Sequence, residues 1–242
     1  MIQVFNKEVS NFLNSLTAYI VIVVFLTIIG LLMWVFPDTS ILEYGFADMF
    51  TLFRFGPYVL MFLVPAITMK MFAEEKKNGT FEILFTRPLS DNEIILGKYL
   101  AAMVLVLLSI APTLLYFFSI YQLGNPQGNI DAAGTAGSYI GLVLLGGVFA
   151  SIGIFASSMT ENQVVAFILS IFLCFILYDG FQQLPGLQSV NSVRIILEKL
   201  SIAFYYNDLS KGLINLNGIV YLLSVILFML ILTKLVIGSR KW

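Results

Sequence analysis

The residues whose types and spacing could do chemistry are concentrated in residues 74–98, between two long apolar stretches. This segment opens with Glu74-Glu75-Lys76-Lys77 and closes with Gly97-Lys98. Charges at this density do not remain in hydrocarbon, so the segment must lie in water on one side of a membrane, open to a soluble partner. We call residues 74–98 the polar segment and interpret it as a docking element.

Catalytic chemistry has little to work with in this chain. There is no histidine, which removes His-assisted nucleophiles and the usual zinc sites. No G-x-x-x-x-G-K-[ST] loop occurs, so nucleotide phosphates have no cradle here. The single cysteine, Cys174, lies in an apolar run and excludes an intrachain disulfide. We therefore expect no catalytic residue, no metal site and no cofactor bound by this chain, which is not an enzyme by itself.

The polar segment has its own local pattern. Gly79 permits a sharp turn after the charged run. Residues 80–86 can then form a short helix, which Pro88 ends. Ser90 and Glu93 fit a capping box, in which the hydroxyl of Ser90 accepts from the Glu93 N–H while the Glu93 carboxylate reaches back. The pattern predicts a small surface helix followed by a capped helix that leads into the next apolar stretch.

The composition is that of an integral membrane protein. The 242 residues are 59% hydrophobic and 11% charged, with a mean hydropathy of +0.94. Soluble domains carry roughly a quarter charged residues. The formal net charge of -1 and the absence of a basic arm argue against binding to nucleic acid.

Membrane spans are expected where about 20 residues run without an unpaired charge, the length that crosses roughly 30 Å of hydrocarbon. We predict one transmembrane domain, residues 1–242, with an all-α fold, because lipid offers no partner for a free backbone N–H or C=O. Its six transmembrane helices are Thr17–Phe36, Pro57–Ala73, Tyr99–Gln122, Gly137–Ser157, Val164–Phe181 and Gly218–Ile237.

Residues 1–16 precede the first span, and their apolar and polar side chains recur with helical spacing. The apolar positions are Ile2, Phe5, Val9, Phe12, Leu13 and Leu16, and the polar ones are Lys7, Glu8, Asn11 and Asn14. This pattern predicts a short helix lying in the membrane interface. The alternative is that residues 1–16 extend the first span into water.

The distribution of Lys and Arg predicts the orientation. With both termini in the cytoplasm, nine cations lie inside and four, which are Arg54, Arg194, Lys199 and Lys211, lie outside. The external residues 182–217 then contain an amphipathic helix, since Val193, Ile196, Leu197 and Leu200 follow helical spacing. This helix either contributes to a gate or covers the top of the bundle.

Two features inside the spans bear on packing and transport. Gly146, Ala150, Gly153 and Ser157 form a stripe of small residues that permits close helix contact, within the subunit or between subunits. Asp179 is the one ionisable residue deep in a late span, and its neighbours suggest the outer boundary. We take Asp179 and Phe181 as a candidate external gate, and ion-coupled transport has little support.

The polar segment also resembles a known pattern. The acidic pair, Gly79-Thr80, Glu82, Leu84, Arg87-Pro88, Ser90-Asp91 and Gly97-Lys98 are similar to the loop between the second and third membrane helices of ABC-2 type transporter permeases. Within that family the chain is most similar to the gliding-motility-associated permease subunits of Bacteroidetes. The resemblance implies a type V exporter-like architecture in the bacterial inner membrane.

The resemblance further implies how such a subunit works. The short helix of the loop docks into a separate ABC ATPase, which binds ATP and Mg and transmits its closure to the membrane. Carried over by position, the coupling residues are Glu75, Gly79, Thr80, Phe81, Glu82, Leu84, Arg87 and Pro88. The resemblance also implies a dimer in the lipid bilayer, with a second permease-like subunit or a second copy of this chain.

Two other functions remain open at this stage. One is an ATP-independent integral scaffold of a motility or secretion assembly, and the other is a secondary transporter. Co-purification of an ATPase, lost when the polar segment is altered, separates the permease from both.

Overall fold

The computed structural model describes residues 1–81, 90–181, 183 and 191–239, and this part of the chain is helical without strands. The helices are α1 Ile2–Leu13, α2 Leu16–Trp34, α3 Ile41–Tyr44, α4 Phe50–Thr68, α5 Lys70–Lys77, α6 Asp91–Ile110, α7 Leu114–Leu123, α8 Ala132–Met159, α9 Gln163–Phe175, α10 Asn191–Leu200, α11 Ile202–Leu209 and α12 Leu216–Gly238. A 3-10 turn, Ala111–Thr113, joins α6 to α7, and a π-helical turn, Ile176–Gly180, extends α9.

Six helical stretches in the described residues are long and apolar enough to span a membrane. They are Leu16–Trp34, Phe50–Lys77, Asp91–Leu123, Ala132–Met159, Gln163–Gly180 and Leu216–Gly238. The predicted all-α, six-span fold is therefore confirmed, and the chain is a multi-pass membrane protein. The second and third stretches begin before the predicted Pro57 and Tyr99, because both helices continue into polar sequence at their ends.

Helix α8 is the centre of the bundle and carries no charged residue. It packs against α4, α5, α6, α9, α11 and α12. The close approach depends on missing side chains: a Cβ at Gly146 would lie 2.5 Å from Cγ1 of Val106 on α6, and one at Gly153 would overlap Oγ1 of Thr68 on α4. The stripe predicted from Gly146 to Ser157 thus packs within the chain.

The second stretch is interrupted at Met69, between α4 and α5. The break lies four residues after Pro65, where Ser157 of α8 enters the backbone ladder. Its Oγ accepts from the N–H groups of Phe72 and Ala73 at 3.0 and 3.1 Å and donates to the Met69 carbonyl at 2.9 Å. A side chain inserted into the ladder is a known cause of a helix break.

Helix α1 packs along α6 and α2. Its inward stripe is Val4, Glu8 and Phe12, one residue per turn. Gly97 on α6 admits α1, since a Cβ there would lie 3.1 Å from both the Met1 carbonyl oxygen and the Val4 Cβ. The helical pattern placed Glu8 on the polar face, whereas its side chain is buried, because a cation lies opposite it.

The bundle has two ends. At one, which we call the α1 end, α1 meets α5 and the start of α6, and Lys76 donates to the Ser158 carbonyl at the end of α8. At the opposite end, Ser138 of α8 donates to the Ser210 carbonyl behind α11 at 3.0 Å. Helix α5 and the start of α6, which hold the two ends of the polar segment, thus lie at the α1 end together with Met1.

Replacing Gly153 by Ala should destabilise the bundle by about 1–3 kcal/mol, the usual cost of overpacking a core. The reason is the overlap of the new methyl group with Thr68. Thermal unfolding of the purified protein in detergent measures the change. Gly238→Ala is the control, because no atom lies within 4 Å of a Cβ at that position. Equal midpoints for the two variants would contradict the close contact between α4 and α8.

Candidate functional site

The most unusual polar group at the α1 end is the ammonium of Lys98, in the second turn of α6. Its side chain is 0% exposed. Nζ lies 2.7 Å from Glu8 Oε1, 3.0 Å from Glu75 Oε2 and 2.6 Å from the Met71 carbonyl oxygen. Two of the three N–H donors of the ammonium are used by the Glu8 carboxylate and the Met71 carbonyl, and the contact with Glu75 Oε2 is an ion pair without a hydrogen bond. The aromatic ring of Phe72, with its centroid 5.0 Å from Nζ, covers a further side of the charge.

Glu75 extends this cluster to a second cation. Its Oε1 accepts from Nζ of Lys7 on α1 at 3.0 Å, while its Oε2 faces Lys98. We call Lys7, Glu8, Glu75 and Lys98 the Lys98 ion cluster. Two positive and two negative charges balance, and they tie α1, α5 and α6 together. Burial of charge is tolerated only with such pairing, because an isolated ion loses its hydration.

Helix α5 is also fixed to the central helix. Besides the bonds of Ser157, Nζ of Lys76 donates to the carbonyl of Ser158 and lies 5.6 Å from the centroid of the Phe81 ring. Phe81 in turn meets the ring of Phe72 edge-on, with centroids 6.2 Å apart. Phe81 is therefore anchored to α5 by its ring contact with Phe72 and by the ammonium of Lys76 over its ring.

Gly79 ends α5 in a Schellman motif. Its φ of 69° lies in the left-handed region that favours glycine. The N–H of Gly79 donates to the Lys76 carbonyl at 3.1 Å and the N–H of Thr80 donates to the Glu75 carbonyl at 3.0 Å. This motif turns the chain sharply away from α5 and sets the direction of the residues that follow Gly79.

The start of α6 carries a capping box. The Glu93 N–H donates to Oγ of Ser90 at 3.4 Å, and the Ser90 N–H donates to Oε2 of Glu93 at 3.0 Å. The other oxygen of Glu93 lies 3.4 Å from the amino group of Met1. Glu93 thus joins the beginning of α6 to the beginning of α1, beside the second end of the loop.

The predicted coupling residues divide into three groups. Gly79 and Thr80 are exposed beside the loop, and Phe81 is partly buried against Phe72. Glu75 faces inward, into the Lys98 ion cluster. Glu82, Leu84, Arg87 and Pro88 lie outside the described residues.

A polar cleft of about 410 Å³ opens between α1 and α5, next to the ion cluster. Asn11 and Asn14 line it from α1, and Glu74 and Asn78 line it from α5. Across it, Nζ of Lys70 donates to Oγ1 of Thr17 on the first span at 3.1 Å. The exposed edge of α5 therefore presents polar groups to water at the point where the loop begins.

Asp179 and Phe181 lie at the opposite end of the bundle. Asp179 belongs to the π-helical turn and accepts from Nε2 of Gln183 at 3.1 Å, and Phe181 directly follows the turn, partly exposed. Turns of this type occur frequently at functional sites. The candidate gate thus lies at the end of the fifth span, at the same end of the bundle as α11.

Tyr178, inside the same turn, joins several elements at this end. Its ring packs edge-on against Tyr58 of α4, and its carbonyl accepts from Oγ of Ser201 at 2.5 Å. Tyr206 of α11 lies beside it, with ring centroids 6.3 Å apart, and donates to the Phe53 carbonyl at 2.8 Å. Burial raises the pKa of Tyr206 well above its ordinary value, so the hydroxyl remains a neutral donor.

Sequence reasoning missed Lys98, Glu8 and Ser157 as site residues. A usable indication existed for Lys98, which is the one charged residue between Glu93 and Asp131. A lone charge at the head of an apolar helix requires a partner. The partners, Glu8 and Glu75, lie 90 and 23 positions from Lys98 in the sequence, a separation that no local pattern indicates. Within the described residues, no group of three or more His, Cys, Asp or Glu could hold a metal ion.

Fold and site together define a class: a helical multi-pass membrane protein with a braced polar surface at one end. A comparison with protein families matches residues 2–238 to the family described as ABC-2 family transporter protein. Since the match covers nearly the whole chain, the protein belongs to this family. A search of curated proteins finds no significant match.

Replacing Lys98 by Met should destabilise the protein strongly. Glu8 would then lose its ion-pair partner, and Glu75 would keep only the exposed cation of Lys7. Breaking a buried ion pair on one side costs about 3–5 kcal/mol. Thermal unfolding in detergent measures the loss. Adding Glu8→Gln restores the charge balance and should recover most of the stability, because removal of a whole buried pair is often close to neutral. A single variant as stable as the wild type would contradict the burial of this charge.

Proposed function

We propose that the chain is the membrane permease subunit of an ABC-type exporter or mechanochemical complex whose separate ATPase docks at the polar segment. Membership of the ABC-2 transporter family makes it a membrane subunit of an ABC transporter. The partner, the docking site and the transmitted motion are the proposal. ATP and Mg are bound by the ATPase, and this chain supplies the membrane element that the ATPase moves.

One observation carries the proposal: the described residues on both sides of residues 82–89 form a base that is braced by ion pairs and hydrogen bonds. At its start, α5 is fixed to α8 through Ser157 and Lys76 and to α6 through Lys98. At its end, α6 is capped by Ser90 and held to the amino terminus by Glu93. In this proposal, a force applied by the ATPase to residues 82–89 is passed to α5 and α6, and through them to the membrane helices, instead of only bending the segment locally.

The docking surface that we propose consists of Gly79, Thr80 and Phe81 together with Glu82, Leu84, Arg87 and Pro88. Gly79 and Thr80 are exposed, which fits contact with a soluble subunit. Glu75 acts from behind this surface, because its carboxylate is held by Lys7 and Lys98. In this proposal Leu84 is the apolar anchor and Glu82 a charge at the interface.

At the opposite end, the proposed output is the turn that contains Tyr178 and Asp179. Its contacts with α4 and α11 join it to the second span, which continues into α5. We assign Asp179 and Phe181 to an external gate. We further propose an inner-membrane dimer with a second permease-like subunit, or a second copy. We also propose a role in gliding motility, which rests on the overall similarity of the chain to gliding-motility-associated permeases in length, short amino-terminal helix and six-span layout.

The proposed topology places both termini and the polar segment in the cytoplasm. In a Cys174→Ser background, single cysteines at Asn78 and Asn129 should react with membrane-impermeant maleimide from opposite sides, because both positions are exposed at opposite ends of the bundle. Asn129 should label in intact cells and Asn78 only after permeabilisation. Labelling of both residues from one side would refute the topology.

Glu82→Lys combined with Leu84→Asp should weaken ATPase binding by at least roughly 30-fold, the effect of losing one interface hot spot of about 2 kcal/mol. The first change reverses an interfacial charge, and the second puts an ion where an apolar anchor is desolvated. ATPase pull-down from detergent-solubilised membranes measures binding, and the amount of this chain in the membrane checks insertion, which should not change.

The matched control is Gln127→Lys with Asn129→Ser, which changes the net charge by the same amount in the loop at the opposite end. It should leave ATPase binding intact. If both double variants retain the ATPase equally, the docking proposal is wrong and an ATP-independent scaffold becomes the better function.

A further inference from the structure

We propose that the Lys98 ion cluster makes α1 a second output of the coupling element, so that displacement of α5 is carried into the first span as well as the second. This inference rests on the proposed function. By covalent connection α5 leads back to the second span, through the break at Met69, and onward through residues 78–90 to the third span, but not to the first. The ion cluster adds a path from Glu75 through Lys98 and Glu8 to α1.

The path continues from α1 into the first span through a stiff joint. Only Asn14 and Ser15 separate the end of α1 from the start of α2. Both backbone N–H groups of this joint are bonded, Asn14 to the Ser10 carbonyl at 3.0 Å and Ser15 to the Phe12 carbonyl at 2.9 Å. The hydroxyl of Ser15 also donates to the Phe12 carbonyl at 2.8 Å. A displacement of α1 therefore moves the beginning of α2 with it.

The ion cluster resists separation of α1 from α5 in a way that apolar contacts do not. Val4 and Phe12 hold α1 by non-directional burial, which tolerates sliding. The carboxylates of Glu8 and Glu75 instead share one buried ammonium, so moving either helix alone leaves the buried charge of Lys98 with only one of its two carboxylates. Lys7 closes a second link by pairing with the other oxygen of Glu75. Lys98 and Glu8 are thus positioning residues for transmission.

Two reporter cysteines separate the two outputs. In a Cys174→Ser background, Phe36→Cys reports on the outer end of the first span and Phe50→Cys on that of the second, and both positions are about half exposed. In the complex with the ATPase, the maleimide labelling rate is measured in the resting and the vanadate-trapped states. The wild-type ion cluster should give a nucleotide-dependent change at both reporters.

Glu8→Gln keeps the shape of the side chain and an acceptor for Lys98 but removes the charge. We expect ATPase binding and hydrolysis to persist, while the nucleotide-dependent change at Phe36→Cys falls at least about fivefold, the low end of coupling factors between sites. The change at Phe50→Cys should remain. Glu161→Gln, the same substitution at an exposed position of the α1 end, is the control and should alter neither reporter.

The double variant Lys98→Met with Glu8→Gln distinguishes transmission from stability. It should fold, and it should still lose the response at Phe36→Cys. Recovery of that response together with stability would show that the cluster only holds the fold, and would overturn the inference. Loss of both reporters in Glu8→Gln, or of neither, would overturn it as well. If the wild-type complex binds ATPase but neither reporter responds to nucleotide, the proposed function fails and the inference fails with it.

Discussion

One buried ammonium at the head of the third span constrains the whole α1 end of this protein. Lys98 is enclosed by protein on all sides, so its charge must be balanced by groups that the fold brings to it. Its acceptors come from α1 and α5, which fixes both helices relative to α6. The burial of Glu8 on the inward stripe of α1 and the position of Glu75 on α5 both follow from this arrangement.

The second constraint is the small, uncharged surface of α8, where Gly146 and Gly153 let α6 and α4 pack closely against it. Where this helix meets the second span, a hydroxyl takes the place of helix hydrogen bonds, so the break at Met69 costs little in unpaired backbone groups. The result is a membrane span and a separate short helix, α5, with its own orientation. On one side α5 is held by the ion pair of Glu75 with Lys98. On the other it is held by the Ser157 hydroxyl and the Ser158 carbonyl of α8.

Different kinds of interaction hold the helices together at the two ends of the bundle. At the α1 end, ion pairs and hydrogen bonds to backbone carbonyls hold the helices. At the opposite end, Tyr178 and Tyr206 hold the π-helical turn and α11 to the bundle through ring contacts and hydrogen bonds to carbonyls. Helix α8, which carries no charge, contacts elements at both ends and is the one continuous helix in the described residues that joins these two sets of interactions.

The sequence by itself determined the class and the local structure. Hydrophobic length located six spans, because a helix must satisfy its backbone in lipid, and the Ser90–Glu93 and Gly79 patterns indicated a cap and a turn that depend only on neighbouring residues. Only the tertiary structure decided which charges meet. Glu8 looked like a solvent-facing residue of an amphipathic helix, and Glu75 like part of a docking surface, until Lys98 was seen between them. Such pairing depends on contacts between residues far apart in the chain, which helical periodicity does not encode.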